Sequence, residues 1–134
     1  MAAQIPAPVK AFLEKPNFAV LATQTESGKL QATPMWFLHI DGHILINTSA
    51  GRAKLRNLRA HPQVALAIVD RENPYRYVQV RGAVVRFDVE NGAKDIDRLS
   101  QRYGGRSYQY PPGDNPKKRI SIHIEIERVT TMGL

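Results

Sequence analysis

Cysteine is absent from this chain, which removes disulfides, thiolate metal sites and thiol nucleophiles together. Apolar runs are short, and none approaches the roughly 20 residues that a membrane-crossing helix needs. The opening residues, Met1-Ala2-Ala3-Gln4-Ile5-Pro6, carry neither the basic patch nor the apolar stretch of an export signal. These absences predict a cytoplasmic protein with no membrane partner. Acid is scarce too: 12 Asp and Glu against 19 Lys and Arg leave a formal charge of +7, which calls for an anionic partner. Nucleic acid is disfavoured, because the basic residues form no arm or recognition motif and Lys117-Lys118-Arg119 is the one adjacent run. A phosphorylated or polyacidic small molecule is the better match.

Protein-borne chemistry is equally sparse. No serine sits in a nucleophile elbow, and no G-x-G-x-x-G run follows a strand. The four histidines do not make a metal set: His39 and His43 flank the Asp41-Gly42 turn, His61 precedes a proline, and His123 falls on the expected outer face of the last strand. No metal and no catalytic side chain is expected, so any enzymatic reactivity must come from a bound cofactor.

What the chain has is alternation. With 43% hydrophobic residues in 134 it can bury a core, and one domain spanning residues 1–134 is expected. Residues 8–15 place Val9, Phe12 and Leu13 at helical spacing before Pro16. Residues 17–25 read as a strand, 26–29 as a turn, 30–40 as a second strand and 43–48 as a third, which predicts three antiparallel strands in a row. Pro34 marks an unpaired or bulged position in the second of them. That strand is apolar on both faces, Met35 and Phe37 against Trp36 and Leu38, so its second face needs a cover: a subunit partner, a flat ligand, or simply the core.

Residues 63–70 and 75–87 continue as strands, the longer with a bulge at Gly82. Residues from Asp88 onward start a helix ended by Gly104-Gly105. Residues 104–117 lack periodicity and hold Tyr108 and Tyr110, either a lid or disordered. The last strand, 119–129, sets Ile120, Ile122, Ile124 and Ile126 inside and Ser121, His123, Glu125 and Glu127 outside. About six mostly antiparallel strands with three helices interspersed predict a mainly β fold, a closed or split β-barrel with helices at its ends.

One stretch looks built to hold something. After the apolar strand, Thr48-Ser49-Ala50-Gly51-Arg52-Ala53-Lys54-Leu55 opens a helix running to about Ala60, with Thr48 or Ser49 as N-cap and the first-turn N–H groups free for an anion. Leu55 and Leu58 define its buried stripe, and Arg52 and Lys54 flank it within the first turn. Both cations can reach one phosphate. The same pattern also fits a solvated basic helix face, as Arg56 and Arg59 do.

In order and spacing, Ala32-Thr33-Pro34-Met35-Trp36-Phe37, Asp41-Gly42, Thr48, Arg52-Ala53-Lys54-Leu55-Arg56-Asn57-Leu58, Pro62 and Tyr77-Val78-Gln79-Val80-Arg81-Gly82 resemble the pyridoxamine-phosphate-oxidase-like, flavin-binding split β-barrel proteins. Within them the chain looks most like the F420-dependent flavin/deazaflavin oxidoreductases. The resemblance implies a homodimer with the cofactor in a groove between subunits. By it, Arg52 and Lys54 hold the cofactor phosphate, and Thr48, Ser49, Ala53 and Asn57 line the same seat. The backbone of Thr33, Pro34, Met35 and Trp36 runs along the ring, and Gln79 approaches from the long strand, across the interface. The implied chemistry is hydride transfer to a small unsaturated or oxidised organic substrate. F420 is the expected cofactor and FMN the alternative; a non-catalytic cofactor or tetrapyrrole carrier is the reading from another class.

Overall fold

A computed structural model describes residues 3–134 of the chain. Helix α1 (Ala7–Leu13) carries Pro8 in its first turn, where a missing N–H leaves no bond unmade, and buries Val9, Phe12 and Leu13. Seven strands follow: β1 (Phe18–Gln24), β2 (Leu30–Met35), β3 (Leu38–Ile40), β4 (His43–Ser49), β5 (Gln63–Val69), β6 (Tyr77–Asp88) and β7 (Arg119–Met132). Helix α2 (Ala53–Ala60) joins β4 to β5, and α3 (Gly92–Gly104) lies between β6 and β7. All strands join one antiparallel sheet in the order β2-β1-β5-β6-β7-β4-β3.

The sheet curls into a split barrel that stays open between β2 and β3. Alternation supplies the reason for the curl: Leu66 and Ile68, Val78 and Val80, and Ile122, Ile124 and Ile126 all face inward, packed on the apolar side chains of α1 and on Leu55 and Leu58 of α2. Among the described residues no helix is long and apolar enough to cross a membrane.

Several expectations need correction. Residues 30–40 are two strands at opposite edges of the sheet, so β2 and β4 are not neighbours. Trp36 and Phe37 alone join the two edges, and Met35 to Leu38 can span at most about 11 Å. Pro34 makes no bulge: the β1–β2 register runs through Val20↔Pro34 without a shift. Proline is tolerated because β2 is an edge, where its missing N–H faces away from the ladder. The second face of Trp36 and Leu38 packs on Ile96, Leu99 and Tyr103 of α3, with Trp36 remaining partly exposed. Ser121 and His123, which alternation placed on an outer wet face, are also buried; the Ser121 hydroxyl donates to Asp95 Oδ2 of α3 at 2.6 Å, and His123 meets Arg86 and His43.

The bulge at Gly82 is present as a register shift between Arg81 and Gly82. A Cβ at Gly82 would run into the backbone carbonyl of Glu125 on β7. Gly82→Ala should therefore destabilise the fold by about 1–3 kcal/mol through overpacking, read as a lower urea midpoint at unchanged m-value; a wild-type midpoint would show that the bulge can relax.

Candidate functional site

Helix α2 begins later than its composition suggests. Strand β4 continues through Ser49, Ala50 and Gly51 turn the chain with Gly51 at φ +89, and Arg52 is the N-cap, without a side-chain cap. Thr48 and Ser49 are therefore not caps. Ladder pairing wins over capping here, because Thr48 and Ser49 pair with Ile120 and Arg119 of β7. The Ser49 hydroxyl donates to Asp114 Oδ1 at 2.8 Å. Among the described residues, the N–H groups of Ala53 and Lys54 meet no protein acceptor, as expected at an uncapped helix start.

That helix start forms one wall of a cavity of about 410 Å³, contributing Arg52, Ala53 and Lys54; β1 and the β2 edge contribute Thr23, Gln31, Ala32 and Thr33. Asn57, one turn further on, stands behind the wall. It is buried and donates through Nδ2 to Gln31 Oε1 at 2.7 Å and to Thr23 Oγ1 at 3.5 Å, fastening helix to hairpin at the cavity rim.

The electrostatics favour an anion. Burial holds the Lys54 ammonium below the ordinary lysine range, and the charges of Arg52 and Arg119 push it further the same way. Arg119 has its own counter-ion, Asp114 at 2.9 Å. Among the described residues neither Arg52 nor Lys54 has one. Two uncompensated cations and two free backbone donors therefore face the same hollow.

The structure thus brings together Thr33, Arg52, Ala53 and Lys54, with Asn57 in support. Pro34, Met35 and Trp36, which continue the same strand edge, line a recess of about 280 Å³ with Phe18. Thr48 and Ser49 stay in β4, outside the cavity lining. Gln79 is on the outer face of β6, in one row with Ala67, Val20 and Pro34, about 14 Å from Pro34 at three strand spacings. Sequence reading missed Thr23 and Gln31. Their signal is the register of the β1–β2 hairpin, which pairs them directly.

The stretch after α3 is fastened rather than loose. Tyr108 N–H donates to Asp97 Oδ1 at 2.9 Å, the Ser100 hydroxyl to the Arg106 carbonyl at 2.7 Å, and Asp114 is tied to Ser49 and Arg119.

The family model described as pyridoxamine 5'-phosphate oxidase matches residues 5–133. The chain belongs to this family. Among solved structures, an F420 reductase is 30% identical to it, covering 94% of this chain and 98% of that one at TM-score 0.83. A conserved hypothetical protein from Mycobacterium tuberculosis is 25% identical, with 98% and 86% covered at TM-score 0.75. General stress protein 26 from Bacillus anthracis, 17% identical at TM-score 0.69 over 92% and 89% of the two chains, shares the fold. No curated protein matches.

In this pyridoxamine 5'-phosphate oxidase family chain the surroundings of Lys54 at the helix start disfavour its charge. Its folded pKa lies below the ordinary 10.5, so below that folded value the charged form opposes folding. The penalty fades as pH rises toward the unfolded value. Lys54→Met should raise the thermal midpoint of the ligand-free protein at neutral pH, with a gain that shrinks on the alkaline side. A lower midpoint at pH 7 would mean that Lys54 is paired in solution.

Proposed function

We propose that the chain is an F420-dependent oxidoreductase acting on a small unsaturated or oxidised organic substrate. The observation that carries this reading is the uncompensated, half-buried Lys54 beside Arg52 at the α2 start, facing the β1–β2 hairpin. The 30% identity to an F420 reductase supports the choice of cofactor.

On this reading Arg52 grips the cofactor phosphate as a fork and Lys54 as a point charge, while the Ala53 and Lys54 N–H groups donate to its oxygens. Gln31 and Thr23, held by Asn57, complete the seat. Thr48 and Ser49 support it from beneath through β4. The backbone of Thr33, Pro34, Met35 and Trp36 runs along the ring, where that recess opens. When bound, the deazaflavin supplies hydride transfer, so no side chain needs to act as nucleophile. The basic tally is less informative about the cofactor than it looked: Arg56 Nη1 donates to the Gly51 carbonyl at 3.0 Å, and Arg59 lies over the Phe87 ring at 4.4 Å.

The same reading includes a homodimer. The outer face of the sheet presents Val20, Ala65, Ala67 and Val69, with Phe18 at its border under Tyr103, a largely apolar surface. Gln79 lies on this face, from which a second copy would bring it to the cofactor. Val20 sits between Pro34 and Ala67 in the middle of the patch. Val20→Glu should give monomers in sedimentation velocity where the wild type gives dimers; a wild-type monomer refutes the dimer.

The cofactor test is direct. A colourless preparation that changes F420 fluorescence on titration supports the reading, and turnover of reduced F420 with quinones, enones or biliverdin establishes an enzyme. A yellow preparation with flavin absorbance points to FMN instead, and tight binding without turnover to a carrier. Lys54→Ala should weaken cofactor binding tenfold to a hundredfold, about 1.5–3 kcal/mol for a charge-assisted contact. Unchanged affinity with intact circular dichroism would remove the site.

A further inference from the structure

The open seam of the barrel lies beside the ring site, and nothing in the sheet holds it. Strands β2 and β3 are opposite edges, and Trp36 and Phe37, which cross between them, pair with no strand. Side chains from outside the sheet do the fastening: Arg102 lies over the Phe37 ring and Tyr108 meets Trp36 edge-on, and among the described residues Tyr103 alone adds hydrogen bonds to the crossing. Tyr103, near the end of α3, accepts a hydrogen bond at its hydroxyl from the Phe37 N–H at 3.3 Å and donates to the Asn17 carbonyl at 2.6 Å. Its ring lies parallel to Trp36, 5.4 Å away with 6° between the planes, and against Phe18 at 5.4 Å and 28°. One residue thus ties the start of β1, the crossing and the tryptophan together.

The helix that carries Tyr103 is itself rigidly seated. Asn47 Nδ2 donates to the Gly92 carbonyl at 2.9 Å, and Asp95 takes the Ser121 hydroxyl. A Cβ at Gly92 would collide with the Arg119 carbonyl, so α3 can approach β7 this closely only with glycine there. Burial raises the Tyr103 phenol above its ordinary value, so the hydroxyl stays a donor throughout the physiological range.

We propose that Tyr103 is a positioning residue, which pins the Trp36–Phe37 crossing and so sets where the Thr33–Trp36 backbone holds the cofactor ring. This rests on the oxidoreductase reading above. It adds that placement of the ring is controlled from α3, separately from the phosphate seat, which α2, Asn57 and the β1–β2 register build without Tyr103. Loss of the hydroxyl therefore harms turnover and spares affinity.

The chain has one tryptophan, so its emission reports on this crossing alone. Tyr103→Phe deletes both hydrogen bonds and keeps the stack; Tyr103→Leu deletes both. In Tyr103→Phe the time-resolved anisotropy of Trp36 should show faster local motion without cofactor, and kcat should fall about tenfold to a hundredfold, the effect of a small misplacement of reacting groups. The Kd for F420 should stay at the wild-type value. Tyr103→Leu should add a change in Trp36 emission. Wild-type Trp36 motion in Tyr103→Phe overturns the pinning with no cofactor needed. Unchanged kcat, or parallel losses in kcat and affinity, overturns the control of the ring while leaving the oxidoreductase reading intact. A wild-type chain that binds F420 without turnover, or does not bind it, instead fails that reading and takes the control of the ring with it.

Discussion

Two residues crossing between the edges of one curled sheet constrain everything else in this molecule. The link from Met35 to Leu38 is too short to let the edges separate, and Pro34 just before it leaves an edge without a full row of donors. The seam is therefore kept narrow at this end without a ladder across it. Phe37 turns inward and is fully buried, whereas Trp36 turns toward α3. The two apolar faces of residues 35–38 are thus shared between two cores, the barrel interior and a smaller aromatic layer under α3. A recess beside the crossing follows from the same geometry.

The start of α2 adds an electrostatic asymmetry to this frame. Arg119 and Asp114 are both more than nine-tenths buried, with side-chain exposures of 7% and 6%, and a buried pair of this kind contributes more to geometry than to net stability. Burial alone would raise the Asp114 carboxyl. Hydrogen bonds from Ser49, Arg119 and the Asn115 N–H overcome that and hold it below the usual carboxylate range. Arg119 is thereby answered within the protein, while Lys54 and Arg52 are left for an outside charge.

Much of this was legible from residue order. The strand alternation, the Gly82 bulge, the three helices and the pairing of Arg52 with Lys54 at a helix start all follow from local rules. The failures share a cause. Thr48 and Ser49 have the chemistry of N-caps, but β7 offers them a ladder, and long-range pairing outweighs a local cap. Ser121 and His123 alternate like exposed residues, yet Asp95 of α3 closes over the first and Arg86 and His43 pack on the second. Residues 30–40 read as one strand because no local signal marks a passage between sheet edges; only the competing demands of β1 and β4 for different partners break it. Thr23 and Gln31 became site residues only once the hairpin register and Asn57 brought them to the start of α2.

Stability and function pull apart at the same helix. An N-cap side chain at position 52 would satisfy one of the free first-turn donors and stabilise α2 by about 1 kcal/mol. The chain has arginine there instead, followed by a lysine whose charge is disfavoured by its surroundings. In an eight-residue helix, where propensity alone is marginal, such choices weaken the isolated element, and burial of Leu55, Asn57 and Leu58 must hold it. The donors and cations that a stable helix would hide are kept turned outward, toward a cavity walled by Gln31 and Thr33. A bound anion would relieve both deficits at once, since it would accept from the free N–H groups and offset the charge of Lys54. On the proposed reading, the energetic weakness of this helix start and its fitness as an anion seat are one property.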